Sequence, residues 1–127
     1  MRDVEADLVV ALVSLPSVTA SGVDAVDIEA GSPFVQVTEL PSQEAERFSN
    51  GPRRSLYDLV DVDLDVYAST LDAAFDTAQA VREWLLSGAP GLPFTPVQVP
   101  VFARRPDYNE RIRRRGAAVT FRVRSDN

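Results

Sequence analysis

This chain of 127 residues has no cysteine, no histidine and no lysine. Without cysteine, disulfides and thiolate metal sites are excluded, and nothing needs an oxidising compartment. Without histidine, the commonest general base and the commonest metal ligand are missing. Neither a Ser-His-Asp nor a Cys-His arrangement can be assembled. The Gly-rich stretch "SGAPGLP" lacks the lysine of a phosphate loop and the strand–loop–helix placement that such a loop needs. No apolar run approaches the roughly 20 residues that cross a bilayer, so no membrane partner is expected. The opening "MRDVEADLVVALVSLPS" carries acids ahead of its short apolar stretch and no small-residue cleavage site after it. A secretory leader is therefore not expected.

An apolar content of 45% is enough for a core, and the length suits a single domain over 1–127. The charges are unevenly placed. Residues 1–83 hold 16 acids and 5 arginines, a net of −11. Residues 84–127 hold 3 acids and 8 arginines, a net of +5, which leaves the chain at −6. A net-acidic chain is a poor general binder of nucleic acid, because phosphate contact relies on Lys and Arg. Halves of opposite sign attract each other, within one subunit or between copies.

Helical spacing of Val4, Leu8, Ala11, Leu12 and Leu15 predicts a helix over 3–15, stopped by Pro16. Val9, Val10 and Val13 widen its apolar face and suggest cover on more than one side. Residues 17–33 are rich in small side chains, and "VDAVDIEA" within them suggests a short edge strand. "PFVQVTEL" reads as a strand over 33–40, with Pro33 at its start. The polar stretch 41–56, with an Asn50-Gly51-Pro52 turn, is too long for a hairpin and is expected to be a mobile loop. A strand is expected over 57–68. The clearest helix spans 70–86. Ser69 or Thr70 caps it, a stripe of Leu71, Ala74, Phe75, Ala78, Val81 and Leu85 faces the core, and Gly88 and Pro90 end it. On this reading an aspartate at Phe75 unfolds the protein. "VQVPVFARR" predicts a strand over 97–105, at an edge or bulged because of Pro100. An arginine-bearing turn follows over 106–116, and a strand over 117–125 closes the chain. The fold class is α+β: a mixed or antiparallel sheet of four to five strands packed against two helices.

The strand "YDLVDVDLDVYA" poses the main question. Val60, Val62, Leu64 and Val66 point one way, and Asp61, Asp63 and Asp65 the other. Like charges then recur at roughly 7 Å. That spacing is too wide for all three to ligate one metal ion, and no facing acid pair suggests glycoside chemistry. Neither a metal, a cofactor nor an enzymatic activity is expected. The arginines at Arg111, Arg113, Arg114 and Arg115 read as a charged hairpin tip, an interface cluster or a weak nucleic-acid contact.

The joined unit "VDVDLDVYASTLDAAFDTAQAVREWL", taken with "PFVQVTELP" and the closing strand at 117–124, resembles the tail terminator proteins of long-tailed bacteriophages, also called minor tail or tail completion proteins. The likeness covers most of the chain and is one of periodicity and small residues. It implies a structural virion protein without catalytic residues. Such proteins form a ring, usually of six copies, that caps the tail tube, ends its polymerisation and presents a surface to the head. The implied partners are further copies of the chain, the major tail tube protein and the head–tail connector or neck protein, with DNA only as passing cargo. The implied location is the virion tail or neck, and the host cytoplasm during assembly. A head–tail connector and a small non-viral binding domain are the alternatives. In a ring, Asp61, Asp63 and Asp65 either line the channel and repel phosphate, or meet Arg122, Arg124 or the 111–115 cluster of the next subunit, or form a solvated outer face. Replacing Asp61 and Asp65 by arginine is expected to leave the fold intact and to impair assembly or DNA exit.

Overall fold

The computed structural model describes residues 3–23, 33–41 and 57–124. The loop expected over 41–56 and the strand expected in "VDAVDIEA" fall almost wholly outside the described residues. The elements in chain order are α1 (Val4–Val13), β1 (Ala20–Gly22), β2 (Phe34–Glu39), β3 (Tyr57–Ala68), α2 (Leu71–Leu86), β4 (Thr95–Gln98), β5 (Ala103–Arg105) and β6 (Arg113–Arg124). One open mixed sheet runs β1-β2-β3-β6-β4, and β5 also pairs with β6. Among the described residues β1 and β2 are parallel, and the other pairs are antiparallel. Both helices lie on one face, α1 against β1 and β2 and α2 against β3 and β6. The α+β class holds, with six strands among the described residues rather than four to five.

The additional strands have local causes. Pro100 lacks a backbone donor, so the run expected over 97–105 divides into β4 and β5, with a register shift between Pro96 and Gln98. The Arg82 guanidinium of α2 donates to the Pro100 carbonyl at 3.1 Å and to that of Val99 at 3.4 Å, which holds the connection in place. At the opposite edge, Ala20–Gly22 is too short to show an alternation of its own. It becomes a strand by lying beside Phe34–Gln36.

The helix ends follow capping chemistry. Asp3 accepts from the Ala6 amide and Thr70 from the Ala73 amide, both at 3.0 Å. Past α2 the chain turns through positive φ at Gly88, Ala89 and Gly91, which ends the helix before Pro90. The Glu5 carboxylate accepts from the Glu39 amide at 2.7 Å and ties α1 to the end of β2. Burial, then the nearby Glu5 and Asp3 charges, push the Glu39 carboxyl above its usual range.

The core lies between the helices and the sheet. Leu8 and Leu12 of α1 and Val81 and Leu85 of α2 meet Val37, Val62, Leu64, Val119 and Phe121. Phe94 packs edge-on to Phe121, with ring centroids 5.3 Å apart. Each such aliphatic side chain gains about 1.5–3 kcal/mol on leaving water. The apolar face of α1 is covered on one side only, since Val10 and Val13 are exposed.

The stripe on α2 needs correction. Ala74, Ala78, Val81 and Leu85 are buried as expected, but Leu71 is 43% exposed and Phe75 49% exposed. At 100° per residue, Leu71 and Phe75 drift off one side of the buried arc, while Thr77 falls inside it. Thr77 is buried, and its hydroxyl donates to the Ser17 carbonyl at 3.4 Å. The Phe75 ring instead carries the Arg115 guanidinium 5.2 Å from its centroid. Phe75→Asp is therefore expected to stay folded and to lose about 1 kcal/mol. Ala78→Asp places an unpaired charge in the core and is expected to prevent folding. Urea unfolding followed by circular dichroism checks both; equal losses would contradict this placement of α2.

Candidate functional site

The face of the sheet away from the helices carries the acidic row of β3. Alternation puts Asp61, Asp63, Asp65 and Tyr67 there, together with Gln36 of β2 and Arg114, Gly116, Ala118 and Thr120 of β6. On β5, Ala103 pairs with Gly116 and Arg105 with Arg114, so Arg105 belongs to the same face. The row is thus mixed in charge, because two strands from the arginine-rich half supply its neighbours.

Arg105 reaches from β5 across β6 to β3, two strand spacings or roughly 10 Å. Its Nη1 donates to Asp63 Oδ2 and to Asp65 Oδ1, each at 2.8 Å, and its Nη2 donates to Asp63 Oδ1 at 2.9 Å. On the other side of Asp65, Arg114 donates through Nε to Oδ1 and through Nη2 to Oδ2, both at 3.0 Å. The result is a chain Asp63–Arg105–Asp65–Arg114 with no net charge. Each guanidinium meets a carboxylate as a fork, the strong geometry for this pair. Asp65 is the centre, only 4% exposed, and its carboxylate receives three N–H bonds. The hydrogen bond to Asp63 raises the Arg105 pKa and that to Asp65 raises the Arg114 pKa, in each case against burial.

Gly116 makes the crossing possible. It sits opposite Asp65 in β3 and Ala103 in β5. A Cβ there would lie 2.5 Å from Asp65 Oδ1 and 2.8 Å from Arg105 Cζ and Nη1. The missing side chain is the trough through which the guanidinium passes. Ala118, the next residue of β6 on this face, is also small.

One end of the face is closed by aromatic packing. Tyr67 is tilted against Phe34 with centroids 6.4 Å apart, meets Tyr108 edge-on at 5.7 Å and packs with buried Ile112. Its hydroxyl donates to Gln36 Oε1 at 2.9 Å. Burial, then the Asp65 charge, push the Tyr67 phenol above its usual range. Arg114 lies 5.8 Å from the centre of the same ring. At the other end Tyr57 and Leu59 are exposed, and the Arg122 guanidinium lies 5.2 Å from the Tyr57 ring centre.

The structure separates several residues that the sequence groups together. Asp61 stands outside the chain of four and accepts from the Thr120 hydroxyl at 2.6 Å. Arg113, Arg114 and Arg115 are not in a turn, because β6 begins at Arg113 and extends the β3–β6 ladder to Ala68. Alternation then sends Arg113 and Arg115 to the helix side. Arg113 donates to Asp107 Oδ2 at 2.6 Å and to the Glu110 carbonyl at 3.1 Å. Arg115 donates to the Phe102 carbonyl at 3.4 Å, while its Nε is buried without a partner among the described residues. Arg111 stays in the turn, where its amide donates to Asn109 Oδ1 at 2.8 Å. Arg122 and Arg124 are exposed at the far end of β6. Asp63 and Asp65 therefore have their partners within one chain, and Asp65→Arg cannot leave the fold intact as expected. It would set three guanidinium groups together in a nearly buried place.

Arg105 is the residue that sequence reading missed. Its signal was Gly116, a glycine inside a strand-forming run, which marks a close approach. Only the pairing register shows what approaches. No family model matches the chain, and a search of curated proteins returns no match.

Gly116→Ala is expected to force the Asp65–Arg105 contact apart and to cost about 1–3 kcal/mol. Denaturant titration measures the loss. An alanine variant as stable as the parent would show that Arg105 does not cross the sheet at this point.

Proposed function

We propose that this chain is a structural subunit of a long-tailed bacteriophage. It forms a ring on the end of the tail tube, stops tube polymerisation and offers the attachment surface for the head. Its partners in this role are other copies of itself, the tube protein and the neck protein, and DNA passes through the ring. The resemblance of the strand–helix unit suggests the role, and one structural observation carries it. Both outer surfaces of a two-layer protein leave large apolar side chains in water: Tyr57 and Leu59 on the sheet, and Leu71, Phe75 and Leu86 on α2. Surfaces of this kind suit a subunit that is covered by neighbours in its working state.

The chemistry of the charge row agrees with such a role. Its arginines and aspartates neutralise one another and brace three strands, which is what a load on the sheet requires. No helix among the described residues is long and apolar enough to cross a membrane.

Light scattering of the purified protein across concentration, electron microscopy of the same sample and binding to assembled tail tubes test the reading. Closed rings, alone or on tube ends, are expected. A strict monomer that ignores tube ends would overturn it, and recovery with the neck protein alone would reassign the chain as a connector.

A further inference from the structure

The two exposed surfaces differ in charge as well as in position. On α2, successive residues turn by 100°, so Leu71, Phe75 and Leu86 fall along one rim of the exposed arc and Asp72, Asp76 and Glu83 along the adjoining rim. All six are exposed. Arg82 lies in the same arc with its guanidinium turned to the Val99 and Pro100 carbonyls, and the Arg115 guanidinium rests on the Phe75 ring, so three carboxylates face two cations. The α2 surface is therefore apolar and acidic. The face of the sheet opposite α1 and α2, at the end away from Tyr67 and Tyr108, carries exposed Tyr57 and Leu59 with Arg122 and Arg124, two cations against the one carboxylate of Asp61. That surface is apolar and basic.

We infer that α2 of one copy docks on the Tyr57–Leu59–Arg122–Arg124 end of the sheet of a second copy. This rests on the ring reading above and names the contact within it. Charge decides the mode. A two-fold contact would set acid against acid if α2 met α2, or arginine against arginine if sheet met sheet, and like charges brought together are unfavourable. Helix on sheet pairs opposite charges and covers apolar surface on both sides. The two surfaces also lie on opposite layers of the molecule, so each copy can use both at once. A head-to-tail contact of this sort propagates, and closes into a ring when the rotation between copies allows. Each sheet then gains a helical layer on its open face, supplied by the neighbour.

Paired charge reversals test the contact. One variant carries Asp72→Arg with Asp76→Arg, and the other carries Arg122→Asp with Arg124→Asp. Alone, each sets like charges across the contact, and self-association measured by sedimentation velocity is expected to weaken at least about tenfold. Mixed one to one, they present opposite charges at every contact and are expected to recover the association of the parent, in alternating order. Circular dichroism confirms folding. If a reversal fails to fold, Asp72→Asn with Asp76→Asn and Arg122→Gln with Arg124→Gln replace it, and each is expected to weaken association in the same direction. A parent that associates while either variant associates equally well would overturn this contact and leave the ring reading standing. Loss in both variants without recovery on mixing would show that the two surfaces do not meet each other. A parent that stays monomeric at every concentration would overturn the contact, and binding to tube ends would then decide the ring reading separately.

Discussion

The sheet depends on Asp65. This carboxylate lies nearly out of water on the face of the sheet opposite α1 and α2, and two arginines from β5 and β6 hold it. Removing one partner from such a group leaves a charge that is poorly solvated and poorly paired, and breaking a buried pair of this kind costs about 3–5 kcal/mol. The arrangement therefore ties strands together strongly only while it is complete. It is also specific. A one-residue slip of β6 against β3 would turn Arg114 to the helix side and put Arg115 in its place, and would replace Gly116 in the trough by Ala117. The register that buries Val119 and Phe121 is the same register that places Arg114 and Gly116 beside Asp65.

This constraint accounts for much of the C-terminal third. β5 is only three residues long, too short to hold an edge by backbone bonds alone. Arg105 anchors it from above the sheet, and the bonds from Arg82 to Val99 and Pro100 anchor its approach from below. The two prolines that interrupt this edge also blunt it against unwanted strand pairing. The charge network draws β5 against one end of β6, while Arg122 and Arg124 stand exposed at the other.

How far the sequence shows this varies from element to element. Strand β3 is legible at its centre, because residues 60 to 66 alternate aliphatic with acidic side chains and the burial of the aliphatic face follows from that alone. Helix α2 is legible in its ends and its existence. Its exposed rim is not legible, because Leu71 and Phe75 look like core residues at helical spacing, whereas Thr77 does not. The start of β6 was hidden by composition: "RIRRRG" suggests a charged tip, and only pairing with Tyr67 and Ala68 makes it strand. The acidic row was visible as a problem, but not its solution. Arg105 and Asp63 stand 42 residues apart in sequence and meet through a third strand, so the contact depends on register that no local pattern encodes. β1 falls in the same class, a strand made by its neighbour.

Asp65 and Arg105 act as one unit that fixes β5 across β6. A double-mutant cycle measures this coupling, with Asp65→Asn, Arg105→Gln and the combined variant unfolded in urea under identical conditions. A coupling energy of about 1–3 kcal/mol between the two positions is the predicted result. Additive losses, with no coupling, would mean that the two residues act separately.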